Sequence, residues 1–274
     1  MKIIEDLHLH THISKDSKQN PEEYVKEAIK RRIKYLGFSD HLDLDPTDKD
    51  YGYYNYENAY TDYIALKKKY GKQLNLLFGT EVTYQSTLKD TVVSSTINKP
   101  YDYMIGSVHR LEGFTIAGVR GLPFFEGKNE FTAYMAYFEE MAKLVDLNYF
   151  QIIGHFDVIK RFGVQFYGKF NAKKYEGIIR SILKVLVKQK NVLELNSSGF
   201  RQKPMEPYPS KEILEIYAEE GGVEITIGSD AHSIKQFGNG LEETLKYAKS
   251  IFDFELIAFV QKKRVKLGKI SDFL

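Results

Sequence analysis

The sequence predicts an α/β protein built as a closed parallel barrel, and two observations favour that class. Short segments rich in Ile, Leu, Val, Phe and Tyr alternate with helical patterns along the whole 274-residue chain. This alternation is typical of a parallel sheet, and the chain has the length of one barrel with no repeat or Pro/Gly-rich linker to divide it. We therefore expect a single domain over residues 1–274.

Seven strands are expected, and several of them end in Gly or Ser. They are Ile3–His10, Leu36–Ser39, Leu74–Glu81, Tyr103–Ser107, Phe150–Gly154, Val192–Asn196 and Val223–Gly228. The first strand is not followed by GxGxxG or GxxxxGK[ST], which disfavours an open nucleotide-binding sheet.

Amphipathic helices are predicted between the strands. In the first helix Asn20 can cap the N-terminus, Pro21 suits the first turn, and Glu22 and Glu23 complement the helix dipole. The remaining helices are expected near residues 56–70, 130–146, 172–190, 210–220 and 240–250.

The composition restricts the class of protein and its partners. Hydrophobic residues make up 43% and charged residues 28%, as in ordinary globular proteins, and the net charge is only +2. This balance favours neither a nucleic-acid partner nor a membrane surface. The chain has no cysteine, which excludes disulfides and thiolate metal sites and fits a reducing compartment. With no apolar signal segment in view, we expect a cytoplasmic protein.

Histidines are concentrated near the start of the chain, in the segment DLHLHTH at residues 6–12. Strand alternation places Asp6, His8 and His10 on one face, pointing into the barrel, and Leu7 and Leu9 on the other, packing outward. Two imidazoles at this spacing can reach one metal ion at the C-terminal mouth, where barrel sites are built. A His-x-His pair alone is also compatible with ordinary hydrogen-bonded histidines.

The ends of the other strands favour the metal interpretation, because histidines and carboxylates recur there. The relevant segments are Ser39-Asp40-His41, Gly79-Thr80-Glu81, Gly106-Ser107-Val108-His109, Gly154-His155-Phe156-Asp157 and Gly228-Ser229-Asp230-Ala231-His232. The carboxyl ends of barrel strands meet at one mouth, so these side chains are expected to form one metal centre.

These motifs, in this order, resemble the PHP (polymerase and histidinol phosphatase) superfamily. The segments Gly-Ser-Val-His, Gly-His-Phe-Asp and Glu-Leu-Asn-Ser-Ser-Gly-Phe-Arg are most similar to its monofunctional histidinol-phosphate phosphatases. The resemblance implies a distorted (β/α)7 barrel, a TIM-like fold, that holds two to three divalent ions. It also implies a metal-dependent phosphomonoesterase that hydrolyses L-histidinol phosphate to L-histidinol and phosphate in histidine biosynthesis.

The resemblance assigns the ligands position by position. The first ion is expected on His8, His10, Glu81 and Asp230, the second on Glu81, His109 and His155, and the third on Asp16, His41 and His232. Some members of the superfamily carry histidine at the position of Asp16. Imidazoles and carboxylates without thiolates suit Zn²⁺, Mn²⁺ or Fe²⁺ and do not choose among them.

Phosphomonoester hydrolysis needs a nucleophile, charge neutralisation and help for a poor leaving group. A water that bridges two ions is expected to attack phosphorus in line. Asp230 or His232 is the candidate for protonating the leaving oxygen. Arg161 and Arg201 are predicted to hold the phosphate from loops at the mouth, with Ser198 and Asn196 as weaker candidates. Lys160 is expected to be an ordinary surface lysine.

Several features and functions remain open. His12 matches no ligand position, so an outer or surface role is expected. The tyrosine-rich segment 51–63 could pack on the barrel rim, form a lid over the substrate or stack on nucleic-acid bases. The alternative function is a phosphoesterase of the same superfamily that acts on nucleotides or short nucleic acids. A scaffold protein without activity is disfavoured because every ligand position holds a suitable donor.

Overall fold

The fold is described for residues 3–274 of a computed structural model. The strands are β1 (Glu5–Asp6), β2 (Tyr35–Phe38), β3 (His41–Leu42), β4 (Asn75–Phe78), β5 (Glu81–Thr83), β6 (Ile105–Ser107), β7 (Arg110–Leu111), β8 (Phe114–Thr115), β9 (Ile152–Ile153), β10 (Val192–Asn196), β11 (Glu224–Gly228), β12 (Glu255–Val260) and β13 (Lys263–Lys269). The α-helices are α1 (Pro21–Arg31), α2 (Tyr56–Tyr70), α3 (Lys89–Thr96), α4 (Leu122–Glu126), α5 (Glu130–Asp146), α6 (Lys160–Tyr167), α7 (Glu176–Gln189), α8 (Lys211–Glu219) and α9 (Leu241–Lys249).

The parallel strands close into a distorted barrel. β1, β2 and β4 pair in that order, and β3, β5, β6, β9, β10 and β11 pair in a second order. β2 continues into β3, and β4 continues into β5, each after a break of two residues. Each of these two pairs therefore forms one interrupted strand of the barrel, and we call each of the seven positions around the barrel a stave. The ring closes where the N–H of Leu7 donates to the carbonyl of Ile227 at 3.1 Å. The expected (β/α)7 barrel is confirmed.

The helices pack outside the barrel as their sequences predict. The Asn20 side chain caps α1 by accepting the N–H of Glu22 at 2.8 Å, and Val25 and Ala28 of that helix are fully buried. The helices predicted near residues 56–70, 130–146, 172–190, 210–220 and 240–250 correspond to α2, α5, α7, α8 and α9. α3, α4 and α6 were not predicted.

A C-terminal hairpin that the sequence analysis missed covers the N-terminal end of the barrel. β12 pairs with the start of β11 in parallel and with β13 in antiparallel orientation. Ile257, Ala258 and Phe259 of β12 join a buried cluster with side chains from the first residues of the barrel strands. This buried cluster, which we call the floor, closes the N-terminal end of the barrel. The polar side chains lie at the opposite end.

The first strand is interrupted just before the histidines. The carbonyl of Leu7 accepts the Tyr103 hydroxyl at 2.6 Å, while the N–H of Ser229 turns to the Asp6 carboxylate at 2.8 Å. The ladder with β11 resumes where the N–H of Asp230 donates to the carbonyl of His8 at 2.8 Å. The prediction that Leu7 packs outward is wrong, because this break leaves Leu7 in the inner cluster and only Leu9 in the outer one.

Tyr103 fills the centre of the barrel between the apolar floor and the mouth. A Cβ at Gly37 would lie 2.0 Å from its hydroxyl oxygen, and a Cβ at Gly79 would lie 2.5 Å from its ring. Glycine is therefore required on these two staves. No helix within residues 3–274 has the length and apolar character needed to cross a membrane.

Candidate metal centre

The nine predicted ligand residues converge at the C-terminal mouth of the barrel. They are His8, His10, Asp16, His41, Glu81, His109, His155, Asp230 and His232. His8, His10 and Glu81 are fully buried, and all nine residues except His8 and His10 line the cavity above the cluster. Residues from six staves thus meet although they are separated by up to 224 positions in the chain.

Glu81 lies at the centre of the cluster, and one of its oxygens faces two histidines. Its Oε1 lies 3.1 Å from the Nε2 of His109 and 2.8 Å from the Nε2 of His155. These two imidazole nitrogens are themselves 3.1 Å apart. Ser107 donates its hydroxyl to the same oxygen at 2.6 Å, which fixes the carboxylate. This group contains the side chains predicted for the second ion.

The other oxygen of Glu81 faces the first strand. Its Oε2 lies 3.2 Å from the Nε2 of His8 and 3.6 Å from the Nε2 of His10. Asp230 approaches the same two nitrogens, with its Oδ1 3.8 Å from His8 and 3.2 Å from His10. These four residues are the ones predicted for the first ion.

Asp16, His41 and His232 form the outermost group. The Oδ2 of Asp16 lies 3.6 Å from the Nε2 of His41 and 3.1 Å from the Nε2 of His232. The Nδ1 of His41 lies 2.9 Å from the Oε2 of Glu81, so His41 connects this group to the centre. The ring of His10 stacks between those of His41 and His232, at 4.1 Å from each.

The unpaired atoms of the cluster fit divalent cations. Within residues 3–274, the buried Nε2 atoms of His8 and His10, the Nδ1 of His41 and the Oε2 of Glu81 have no hydrogen-bond partner. Buried polar atoms without a partner are rare and costly, and cations bound within the cluster would satisfy these atoms. Groups of three candidate donor atoms lie within 4.8 Å of one another, as metal sites require.

Electrostatics act in opposite directions on the members of the cluster. Although burial opposes it, nearby carboxylates raise the pKa values of three of its histidines, which are His8, His41 and His155. Burial alone would raise the pKa values of Glu81 and Asp230, but the surrounding histidines hold both pKa values well below the usual range. Burial, together with the neighbouring His232 and His41, lowers the pKa of His10 well below its usual value. The carboxylates are therefore ionised, and His10 is a neutral donor.

Hydroxyl groups orient two of the histidines. The Nδ1 of His10 lies 3.1 Å from the Ser14 hydroxyl, which donates to Asp40 at 2.7 Å. The Nδ1 of His109 lies 2.9 Å from the Thr83 hydroxyl, which donates to a carboxylate at 2.6 Å. In both cases the hydroxyl fixes the ring so that its Nε2 points into the cluster.

A cavity of ≈ 140 Å³ opens above the cluster, and Arg161 is one of its walls. The Arg161 guanidinium donates one N–H to the carbonyl of Ala117 at 2.8 Å, which holds it at the mouth. The candidate acids Asp230 and His232 also line the cavity. A phosphate, a set of metal ligands and a proton donor could therefore meet in one space.

The other predicted phosphate ligands lie beside the cavity. Arg201 donates to the carbonyls of Ser229 at 2.7 Å and Asp230 at 3.3 Å, so it supports the loop that carries Asp230. Ser198 is buried in a 3-10 turn, where its N–H donates to the Asn196 side chain at 2.9 Å. Neither Arg201 nor Ser198 is among the residues that line the cavity.

Lys160 is not a surface residue, so that prediction is wrong. Its side chain is fully buried, with the ammonium nitrogen 2.9 Å from Asp157 and 2.9 Å from Glu206. It also donates to the carbonyl of Pro207 at 3.1 Å. A lysine next to an arginine at the start of a helix gives no sign of burial in the sequence. Lys160 is buried because the segment that precedes α8 covers its side chain.

Two further side chains lie at the rim. Arg110 was not singled out from the sequence, and the role of His12 was left open. Arg110 is buried and pairs with Asp45 at 3.1 Å and with Asp48, which clamps the two loops that flank the cavity. His12 is half-exposed and pairs with Asp62 at 3.3 Å, which agrees with a surface role. Arg110 directly follows the predicted ligand His109 in the sequence, and this position was the only indication that Arg110 lies near the site.

The tyrosine-rich segment 51–63 mainly packs on the barrel. Tyr60 and Tyr63 contact Phe78, and Tyr54 bonds to the Tyr101 hydroxyl at 3.0 Å. Tyr53, in contrast, is largely exposed and lines the cavity. The packing interpretation is confirmed for these inner rings, and Tyr53 is the ring placed where a lid would act.

The fold and the cluster together define a barrel of the kind that holds divalent cations at its C-terminal mouth. The chain belongs to the PHP domain family, whose model matches residues 6–198. A probable histidinol-phosphatase of Thermotoga maritima is 28% identical over 95% of this chain and 97% of the relative. The histidinol-phosphatase of Lactococcus lactis is 25% identical over 84% of this chain and 85% of the relative.

A solved structure agrees with the fold along nearly the whole chain. The histidinol phosphate phosphatase of Lactococcus lactis, crystallised with zinc, L-histidinol and phosphate, superposes with a TM-score of 0.87 at 23% identity. The match covers 97% of this chain and 100% of that one.

Proposed function

We propose that this chain hydrolyses L-histidinol phosphate to L-histidinol and inorganic phosphate with the help of two to three divalent ions. The observation that carries the proposal is the convergence of nine ligand-type side chains at the barrel mouth, with Arg161 on the wall of the cavity above them. The relatives named histidinol-phosphatase, which match most of the chain, support the choice of substrate. A cytoplasmic, single-domain enzyme that acts on this small molecule is part of the same proposal.

The residues fit the expected ions in three groups. We assign the first to His8, His10, Glu81 and Asp230, the second to Glu81, His109 and His155, and the third to Asp16, His41 and His232. Zn²⁺, Mn²⁺ and Fe²⁺ all suit these nitrogen and oxygen donors. When bound, such ions supply positive charge against the phosphoryl oxygens and lower the pKa of water.

The side chains around the ions orient the substrate. Arg161 can hold two phosphoryl oxygens with its planar guanidinium while one N–H of its Nη1 stays on the carbonyl of Ala117. Arg201 and Ser198 remain predicted phosphate ligands that would need to turn toward the cavity. Carboxylates on the cavity wall, such as Asp43, are suited to a substrate that carries an ammonium group.

The leaving oxygen of histidinol needs a proton. Asp230 and His232 both line the cavity, and the Nδ1 of His232 lies 3.1 Å from the carbonyl of Asp230. We propose that one of these two residues, Asp230 or His232, delivers the proton, because both border the cavity in which the phosphate would be held.

A comparison of substrates tests the proposal. Phosphate release is measured for L-histidinol phosphate, p-nitrophenyl phosphate and a nucleoside monophosphate, each with the protein loaded with Zn²⁺ or Mn²⁺. We expect the highest kcat/KM for L-histidinol phosphate. Preferred cleavage of the nucleotide would instead assign the chain to the alternative phosphoesterase function.

A further inference from the structure

A buried glutamate beneath the cluster contacts two of the candidate ligands at once. Glu194 lies in the middle of β10 and is 1% exposed. Its Oε1 lies 2.5 Å from the Nδ1 of His8, and its Oε2 accepts the backbone N–H of His155 at 2.8 Å. Since these histidines belong to the first and second groups, one side chain joins the two groups from below.

The tautomer of His8 follows from this contact if the proposed function is correct. The Nε2 of His8 faces Glu81 and Asp230, so it must be free of hydrogen to bind a cation. The hydrogen of the neutral ring then resides on Nδ1 and is donated to Glu194. A carboxylate at this position selects the required tautomer and strengthens the imidazole as a donor.

Both sides of this contact call for an acceptor oxygen, and a carboxylate supplies two. The Oε2 of Glu194 faces two donors, the N–H of His155 and the Nδ2 of Asn196 at 3.2 Å, while its Oε1 faces the N–H of His8. A glutamine has one acceptor oxygen, so its NH₂ group would face an N–H on one side or the other. In either orientation of the amide, the hydrogen bond to His8 or the hydrogen bond to the N–H of His155 is lost.

A glycine on the neighbouring strand β11 leaves room for this side chain. A Cβ at Gly228 would lie 2.6 Å from the Oε1 of Glu194 and 2.4 Å from the Cβ of His8. The backbone of β11 is thus built around the contact between Glu194 and His8.

We propose that Glu194 is a positioning residue that sets the tautomer of His8 and the place of His155, and thereby the affinity of the centre for its ions. The inference rests on the proposed metal-dependent function. Outer partners of metal ligands commonly change metal affinity by about 10–100-fold, and we expect a weakening in that range for Glu194→Gln.

The test measures metal affinity directly. Zn²⁺ binding is followed by competition with a chromophoric chelator for the wild type, Glu194→Gln and Glu194→Asp. We expect Glu194→Gln to bind Zn²⁺ about 10–100-fold more weakly, and Glu194→Asp to recover part of the affinity because it keeps the charge. With saturating metal, the KM for substrate should change little.

Asp102→Asn is the matched control. Asp102 is also a buried carboxylate whose two oxygens accept backbone N–H groups, from Gln261 at 2.8 Å and Phe78 at 2.9 Å, but at the barrel floor. It should lose stability and keep its Zn²⁺ affinity. If Glu194→Gln folds poorly, the rise of the unfolding temperature with added Zn²⁺ is measured in place of the affinity. At equal Zn²⁺ concentration this rise should be smaller than in the wild type only for Glu194→Gln.

The outcomes separate this inference from the proposed function. Wild-type affinity in Glu194→Gln, or an equal loss in Asp102→Asn, would overturn the role of Glu194. A wild type that binds Zn²⁺ without cleaving L-histidinol phosphate would refute the proposed substrate while leaving the affinity test valid. A wild type that binds no divalent ion would refute both.

Discussion

Replacing Lys160 by methionine should destabilise the protein severely, because Lys160 is the cation of a buried ion network. The side chains of Lys160 and Asp157 are both fully buried, 2.9 Å apart, and Glu206 completes the network. Lys160→Met keeps most of the packing volume and leaves the Asp157 carboxylate without its cation. Breaking a buried pair in this way typically costs about 3–5 kcal/mol.

That cost can be converted into an unfolding temperature. A domain of this size loses roughly 2–4 °C per kcal/mol, so we expect the unfolding temperature to fall by roughly 6–20 °C. Burial raises the pKa of Asp157, although Lys160 opposes this effect. An acid whose pKa is raised in the folded state destabilises the fold at pH values above that pKa. The stability lost in Lys160→Met should therefore become smaller as the pH falls toward the pKa of Asp157.

Thermal and urea unfolding of the wild type and the variant at several pH values provide the assay. Lys174→Met is the matched control, because Lys174 pairs with Glu130 at 2.6 Å but has a half-exposed side chain, and its loss should hardly matter. The double variant Lys160→Met/Asp157→Asn should recover part of the stability. Equal, small effects of Lys160→Met and Lys174→Met would refute the reasoning.

Three further predictions concern the candidate site. Glu81→Ala should abolish turnover and lower the metal content measured by elemental analysis, because Glu81 faces both inner groups; full metal content would contradict its central place. Arg161→Ala should raise KM by roughly 10–100-fold at similar kcat, from the loss of a charge-assisted hydrogen bond of about 1.5–3 kcal/mol; an unchanged KM would remove its phosphate role. Removal of the ions by a chelator should lower the unfolding temperature, and Zn²⁺ at about 100 times its Kd should restore about 2.7 kcal/mol; an unfolding temperature that ignores Zn²⁺ would contradict a metal centre.

Regular elements and strand ends could be predicted from the sequence because they depend on local patterns. Asn20 and Pro21 marked the start of α1, and the apolar segments marked the staves of the barrel. The histidines and carboxylates at the strand ends were correctly expected to meet, since parallel strands present their carboxyl ends at one mouth.

Features that depend on tertiary contacts were missed. The β12–β13 hairpin turns at Gln261 and Lys262, which adopt positive φ values of 50° and 62° without the usual Asn or Gly. The inward turn of Leu7 depends on the hydroxyl of Tyr103, a residue distant in sequence.

The burial of Lys160 and the role of Glu194 also come from contacts between distant segments. Lys160 is buried by the Glu206–Pro207 segment, more than forty residues away. The burial of Glu194 was easier to predict from the sequence than that of Lys160, because a single acid within the apolar strand Val-Leu-Glu-Leu-Asn indicates a buried charge that must have partners.

The most direct test of the account follows bound metal and turnover in the same sample. Chelator-treated protein is titrated with Zn²⁺ or Mn²⁺, and metal content and phosphate release from L-histidinol phosphate are measured at each step. We predict that turnover rises with bound metal until two to three ions per chain are reached, and that Glu81→Ala shows no such rise. Turnover that is independent of bound metal, or full metal binding without cleavage of L-histidinol phosphate, would contradict the account.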